Sequence, residues 1–127
     1  MDEKVFDLIA IGNAIVDVLI NVDESFLIKN SLPKGSMTLI DENKAKELYL
    51  SSTAALETSG GSAANTAAGL LNLGSSANFI GRVKEDKLGK VFRDDIHQTG
   101  AEFNTSLLKE GPSTAVSYTH LTLPTKA

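Results

Sequence analysis

Ser59-Gly60-Gly61-Ser62-Ala63-Ala64-Asn65-Thr66-Ala67 joins two glycines directly to a run of small, helix-compatible residues. Glycine lets the backbone approach a ligand closely, and a helix starting just beyond it presents free amides whose positive end favours oxygen-rich groups. Asn65 falls about one turn into that helix. Two readings of the stretch are open from its residues. It is a loop that holds a polar ligand, or a glycine loop ahead of a helix whose Ala63, Ala64, Ala67, Ala68 and Gly69 merely permit close packing. It is not a Walker phosphate loop, because no Gly-Lys-Ser/Thr follows. A dinucleotide fingerprint is also missing, because Gly12, the other glycine after an apolar run, lacks the second and third glycines.

Working outward, the chain alternates strand and helix. Val5 to Ile11 is apolar almost throughout, which predicts a strand covered on both faces, as in a parallel sheet. Ile15 to Val22 is β-rich, Glu24 to Lys29 suits a short helix before the breaker Pro33-Lys34-Gly35, and Met37 to Ile40 reads as a short strand. Asp41 is placed to cap a helix over Lys44 to Tyr49, with Ala45, Leu48 and Tyr49 on one face. A helix from Ser62 to Leu73 stops at Gly74, a strand covers Ala77 to Val83, and a helix covers Lys87 to Thr99 with Val91, Phe92 and Ile96 inward and Gly100 at its end. Ala101 to Leu108 and Thr114 to Thr119 read as short strands on either side of Glu110-Gly111-Pro112. The cadence is α/β. Val5 to Ile11 and Ala77 to Val83 are the strongly buried strands, too few for a doubly wound layer, so the sheet reads as partial.

Composition narrows the function classes. With 127 residues and 42% hydrophobic content the chain can form one small globular domain. A net charge of -4 without a Lys/Arg block argues against a nucleic-acid partner, which requires clustered cations. The absence of cysteine removes disulfides and thiolate metal sites. His97 and His120 lack partners for a metal site and read as solvated side chains. The start Asp2-Glu3-Lys4 is unlike a signal peptide, and the best apolar stretch is broken by Asn13 and Asp17, so no membrane association is expected and a cytoplasmic location is the default.

Asn13 and Asp17 lie just past the first apolar strand, at the edge where open α/β sheets place ligands. A carboxylate there can accept two hydroxyl hydrogen bonds from a sugar, with the Asn donating and accepting beside it; a polar turn is the other reading of the same spacing. Considered with the Gly60 loop, the pattern gains specificity. Gly12 to Asp17, together with Gly60 to Asn65, resembles the substrate half of a ribokinase-like (PfkB) carbohydrate kinase, adenosine kinase branch. Phe79-Ile80-Gly81-Arg82-Val83 with Asp86 and Gly89 matches the strand and turn that follow in that family, although Lys84 stands where many members have glycine. The resemblance runs from Met1 to about Val116.

The resemblance implies a partial ribokinase-like fold: the N-terminal part of a mostly parallel sheet with flanking helices and short lid strands. It implies that Asn13 and Asp17 grip sugar hydroxyls, that Gly60, Gly61, Ser62 and Asn65 complete the grip, and that Met37 and Leu39 on a lid strand face the base or sugar. For Leu39, ordinary core packing is the other reading. Gly111 to Ala115 would enter a second lid strand. The acceptor would be a small sugar or nucleoside, and the phosphoryl donor ATP with Mg²⁺. The family's catalytic Asp lies in a Gly-Ala-Gly-Asp run that this chain does not contain, so the catalytic, ATP, Mg²⁺ and monovalent-cation sites are expected outside it, and the 127 residues are expected to be an inactive N-terminal fragment. Residues 1–116 are thus read as the substrate-binding part and 117–127 as a spurious or disordered tail. Two further readings are a self-contained, non-catalytic sugar or nucleoside binding module and, without its fingerprint, a dinucleotide-binding domain.

Overall fold

The computed structural model describes residues 3–122. Its elements run β1 (Leu8–Ile11), β2 (Ile15–Val22), α1 (Glu24–Lys29), α2 (Glu42–Ser51), β3 (Ala54–Gly60), α3 (Ser62–Asn72), β4 (Ala77–Ile80), α4 (Lys87–Gln98) and β5 (Ala115–Thr122). The chain divides into two units, one formed by the residues up to Asp17 with Thr58–Ser117, the other by Val18–Glu57 with the residues from Tyr118.

In the first unit β1 and β4 pair in parallel, from Leu8 opposite Ala77 to Ile11 opposite Ile80. Helix α3 packs across both strands, and its buried Ala64 and Ala67 explain the small-residue run, since small side chains let a helix axis approach a sheet. Beneath, Phe79, Phe92 and Phe103 form a ring cluster with centroids 5.5 to 5.9 Å apart. Phe79, Phe92 and Ile96 are fully buried, which fits α4 and its apolar stripe. The expectation of a first strand from Val5, covered on both faces, is corrected: the strand begins at Leu8. Val5, Ile9 and Ile11 are exposed, because α3 covers only one face.

In the three-stranded sheet β2 lies between β3 and β5. Val16, Val18, Ile20 and Val22 are buried in strict alternation along β2, the period-2 pattern of a sheet with one packed face. In the second unit Leu27 of α1 and Leu48 of α2 are buried, and Tyr49 donates its hydroxyl to Glu57 at 2.6 Å.

Four sequence expectations are revised. Met37 to Ile40 forms no strand; its β-compatible residues find no ladder partner. Ala101 to Leu108 makes only isolated bridges, Asn78 with Glu102 and Lys84 with Leu108. Strand β3, unanticipated, is defined by its pairing with β2. The tail expected to be unpacked from Ser117 instead continues β5 to Thr122. Tyr118 there donates to the carbonyl oxygen of Ala45 at 3.0 Å, and burial, with Tyr49 and Glu57 nearby, pushes its phenol up to about 12. Residues 123–127 lie outside the described residues.

Candidate functional site

The end of β1 and the glycine turn meet in the first unit. The Gly12 amide donates to Ile80 O at 3.1 Å, carrying the parallel pairing one residue past β1 and delivering Asn13 at its edge. Along β2, Asp17 alternates with buried Val16 and Val18 and so occupies the opposite face, partly exposed. Strand β3 ends at Gly60, and Gly61, with φ +91° and ψ 145°, turns the chain into α3. A Cβ on Gly60 would lie 2.2 Å from Oδ2 of Asp17, and one on Gly61 would lie 2.7 Å from the carbonyl oxygen of Asn13. The two sequence motifs, more than forty positions apart, therefore touch through the space that glycine leaves empty.

Among the described residues the Asp17 carboxylate has no hydrogen-bond donor or cation as partner. The N-terminus of α3 has no side-chain cap, so its first amides are available to another acceptor. Ser62 and Asn65, three residues apart and hence on one face of the first turn, are both exposed. A carboxylate, an amide side chain and free backbone N–H groups at one edge can bind a neutral polyhydroxyl compound through both donors and acceptors.

Residues 35–124 match the pfkB family of carbohydrate kinases. The chain belongs to this family. Over 92% of its length it superposes on the adenosine kinase of Sinorhizobium meliloti with 45% identity and a TM-score of 0.77, covering 36% of that structure. It matches the "probable sugar kinase protein" of Rhizobium etli CFN 42 with 44% identity, the same TM-score of 0.77 and the same coverages, 92% and 36%. Over 124 residues, 97% of this chain and 31% of the relative, it is 25% identical to the 5-dehydro-2-deoxygluconokinase of Bacillus subtilis (strain 168). The chain thus spans about a third of the length of these kinases, and its fold is ribokinase-like α/β, in part.

Against that family frame, Asn13, Asp17, Gly60, Gly61, Ser62 and Asn65 all fall in the first unit. Met37 and Leu39 belong to the second unit, where each is 96% exposed, so neither is a core residue of the described chain. The sequence has no Gly-Lys-Ser/Thr run, and among the described residues there is no group of three or more His, Cys, Asp or Glu side chains that could hold a metal ion. No helix among them is long and apolar enough to cross a membrane. One residue that sequence reading missed is Asp95 of α4, which accepts hydrogen bonds from the amide and hydroxyl of Ser59 and the hydroxyl of Thr58. Its only local signal is a carboxylate beside the buried Ile96.

Proposed function

We propose that this chain supplies the phosphoryl-acceptor site of an ATP-dependent kinase whose acceptor is a sugar or nucleoside hydroxyl. The observation that carries the reading is the Asp17 carboxylate, without a hydrogen-bond partner among the described residues, seated on Gly60 beside the uncapped start of α3. Asp17 accepts hydrogen bonds from two neighbouring hydroxyls of the acceptor, and Asn13 bonds beside it. Gly61, Ser62 and Asn65 complete the grip from the helix end. Adenosine is the first acceptor to test, because the chain is 45% identical to the adenosine kinase of Sinorhizobium meliloti.

On this reading the chain orients the acceptor and does no phosphoryl chemistry itself. The resemblance assigns the proton-accepting Asp to a Gly-Ala-Gly-Asp run that the 127 residues lack, so ATP and Mg²⁺ would be held by a part of the protein outside this chain. The test is to express the complete reading frame and follow ADP formation with ATP, Mg²⁺ and a panel of adenosine, D-ribose, D-fructose and 5-dehydro-2-deoxygluconate. One acceptor should be phosphorylated, Asp17→Ala should lose most of that activity, and the 127-residue chain alone should show none. Absence of turnover with every acceptor, or an Asp17→Ala enzyme with unaltered kinetics, would end the reading.

A further inference from the structure

We infer that Asp95 is a positioning residue for the acceptor site, holding the end of β3 so that Gly60 can seat the Asp17 carboxylate. The inference rests on the acceptor-site reading above. One oxygen, Oδ2 of Asp95, accepts from Ser59 N at 2.7 Å, Ser59 Oγ at 2.6 Å and Thr58 Oγ1 at 3.0 Å. Two consecutive residues are thereby fixed by backbone and side chain together, immediately before the turn. The next residue is Gly60, buried, whose missing side chain leaves the space that Asp17 occupies, and then Gly61 at positive φ. A shift of the Ser59 backbone would move Gly60 against Asp17 directly, because no side chain intervenes to absorb it.

The stability of α4 does not account for this carboxylate. Asp95 lies near the C-terminal end of α4, where the helix dipole disfavours negative charge. Burial adds to that cost, but the donors from Ser59 and Thr58 outweigh it and hold the carboxyl below its ordinary value. The partners that make this charge tolerable all belong to the approach to the glycine turn. Among the described residues Asp95 makes no hydrogen bond to a grip residue, so it acts through Gly60.

The experiment is a double-mutant cycle in the protein of the complete reading frame, reading the dissociation constant of adenosine by calorimetry, with D-ribose and D-fructose as further probes. Asp95→Ala should weaken binding about tenfold, as misplacement of a grip does, while leaving the KM for ATP unchanged. Asp95→Asn, which keeps one acceptor for the Ser59 amide, should recover part of the loss. In the Asp17→Ala background Asp95→Ala should cost less than about threefold, because a residue that works through Asp17 has little left to position. Additive losses, or unaltered binding in Asp95→Ala beside a weakened Asp17→Ala, would overturn the inference while leaving the acceptor site standing. If Asp17→Ala binds every probe as the wild type does, or no probe binds, both readings fall. Should Asp95→Ala not fold, Ser59→Ala and Thr58→Val remove the side-chain donors singly and must show the same coupling to Asp17.

Discussion

Helices α3 and α4 begin in opposite ways. At α4 the carboxylate of Asp86 accepts from the Gly89 amide at 2.7 Å and from the amide and hydroxyl of Thr114 at 3.0 and 2.7 Å, so the helix start is closed by its own side chain and tied to the approach to β5. Asp23 and Asp41 close α1 and α2 in the same manner. At α3 the capping position is Gly61, which offers no side chain at all. A glycine at the capping position forgoes only a few tenths of a kcal/mol relative to a capping side chain, and here it lies beside the Asp17 carboxylate, which has no hydrogen-bond partner among the described residues. The difference separates two jobs: α4 is built to hold the unit together and α3 to leave its amides for something else.

On that division, changes at the cap and apolar face of α4 move stability, whereas changes around the α3 start, and at Asp95 acting on it from α4, move acceptor binding. The largest effect should come from Phe92→Ala, which empties the centre of the Phe79–Phe92–Phe103 cluster and should cost about 4 kcal/mol in urea unfolding. A loss under 1 kcal/mol would mean that the cluster is not the anchor of α4. Next, Asp17→Ala should lower kcat/KM for the acceptor by about 1.5 to 3 kcal/mol, roughly tenfold to over a hundredfold, with unfolding changed by less than about 0.5 kcal/mol. Gly60→Ala should act the same way by displacing the Asp17 side chain; unaltered kinetics in that variant would show that Asp17 can work from another position.

Asp86→Ala should destabilise by about 1.5 kcal/mol without touching acceptor affinity. Burial raises the Asp86 carboxyl, but the donors from Thr114 and Gly89, with Lys84 nearby, outweigh it and leave it below its ordinary value. A carboxyl lowered on folding adds stability above its unfolded pKa of about 3.9 and loses it as pH falls through the lower folded value. Acid titration of the unfolding free energy should thus decline below about pH 4, and Asp86→Asn should flatten part of that decline. The smallest effect belongs to Asn13→Ala, about 1 kcal/mol in acceptor binding, as a neutral hydrogen bond is weaker than the charge-assisted one to Asp17. A larger loss for Asn13 than for Asp17 would reverse their roles.

Most of the helices were legible in the sequence because their signals are local: Asp41 as a cap, Gly74 and Gly100 as stops, and the spacing of Phe92 and Ile96. What escaped depends on partners far along the chain. Strand β3 has weak β character in Ala54-Ala55-Leu56-Glu57-Thr58-Ser59 and exists through pairing with β2, whereas Met37 to Ile40 has the composition of a strand and no ladder. The candidate site was legible as two motifs, each ambiguous alone; the contact between Gly60 and Asp17 removes the reading of either as an isolated loop. Asp95 could not be singled out, because its meaning comes from Ser59, 36 positions away.

The tyrosine contacts carry a practical consequence for optical work on this protein. Tyr49 and Tyr118 are its only tyrosines and it has no tryptophan, so ultraviolet emission arises from these two rings. Both lie in the second unit, one bonded to Glu57 and the other to Ala45. Intrinsic fluorescence of these 127 residues during unfolding is therefore a gauge of that unit alone. The phenylalanine cluster and the Asp17–Gly60 contact are silent to it and call for an introduced chromophore.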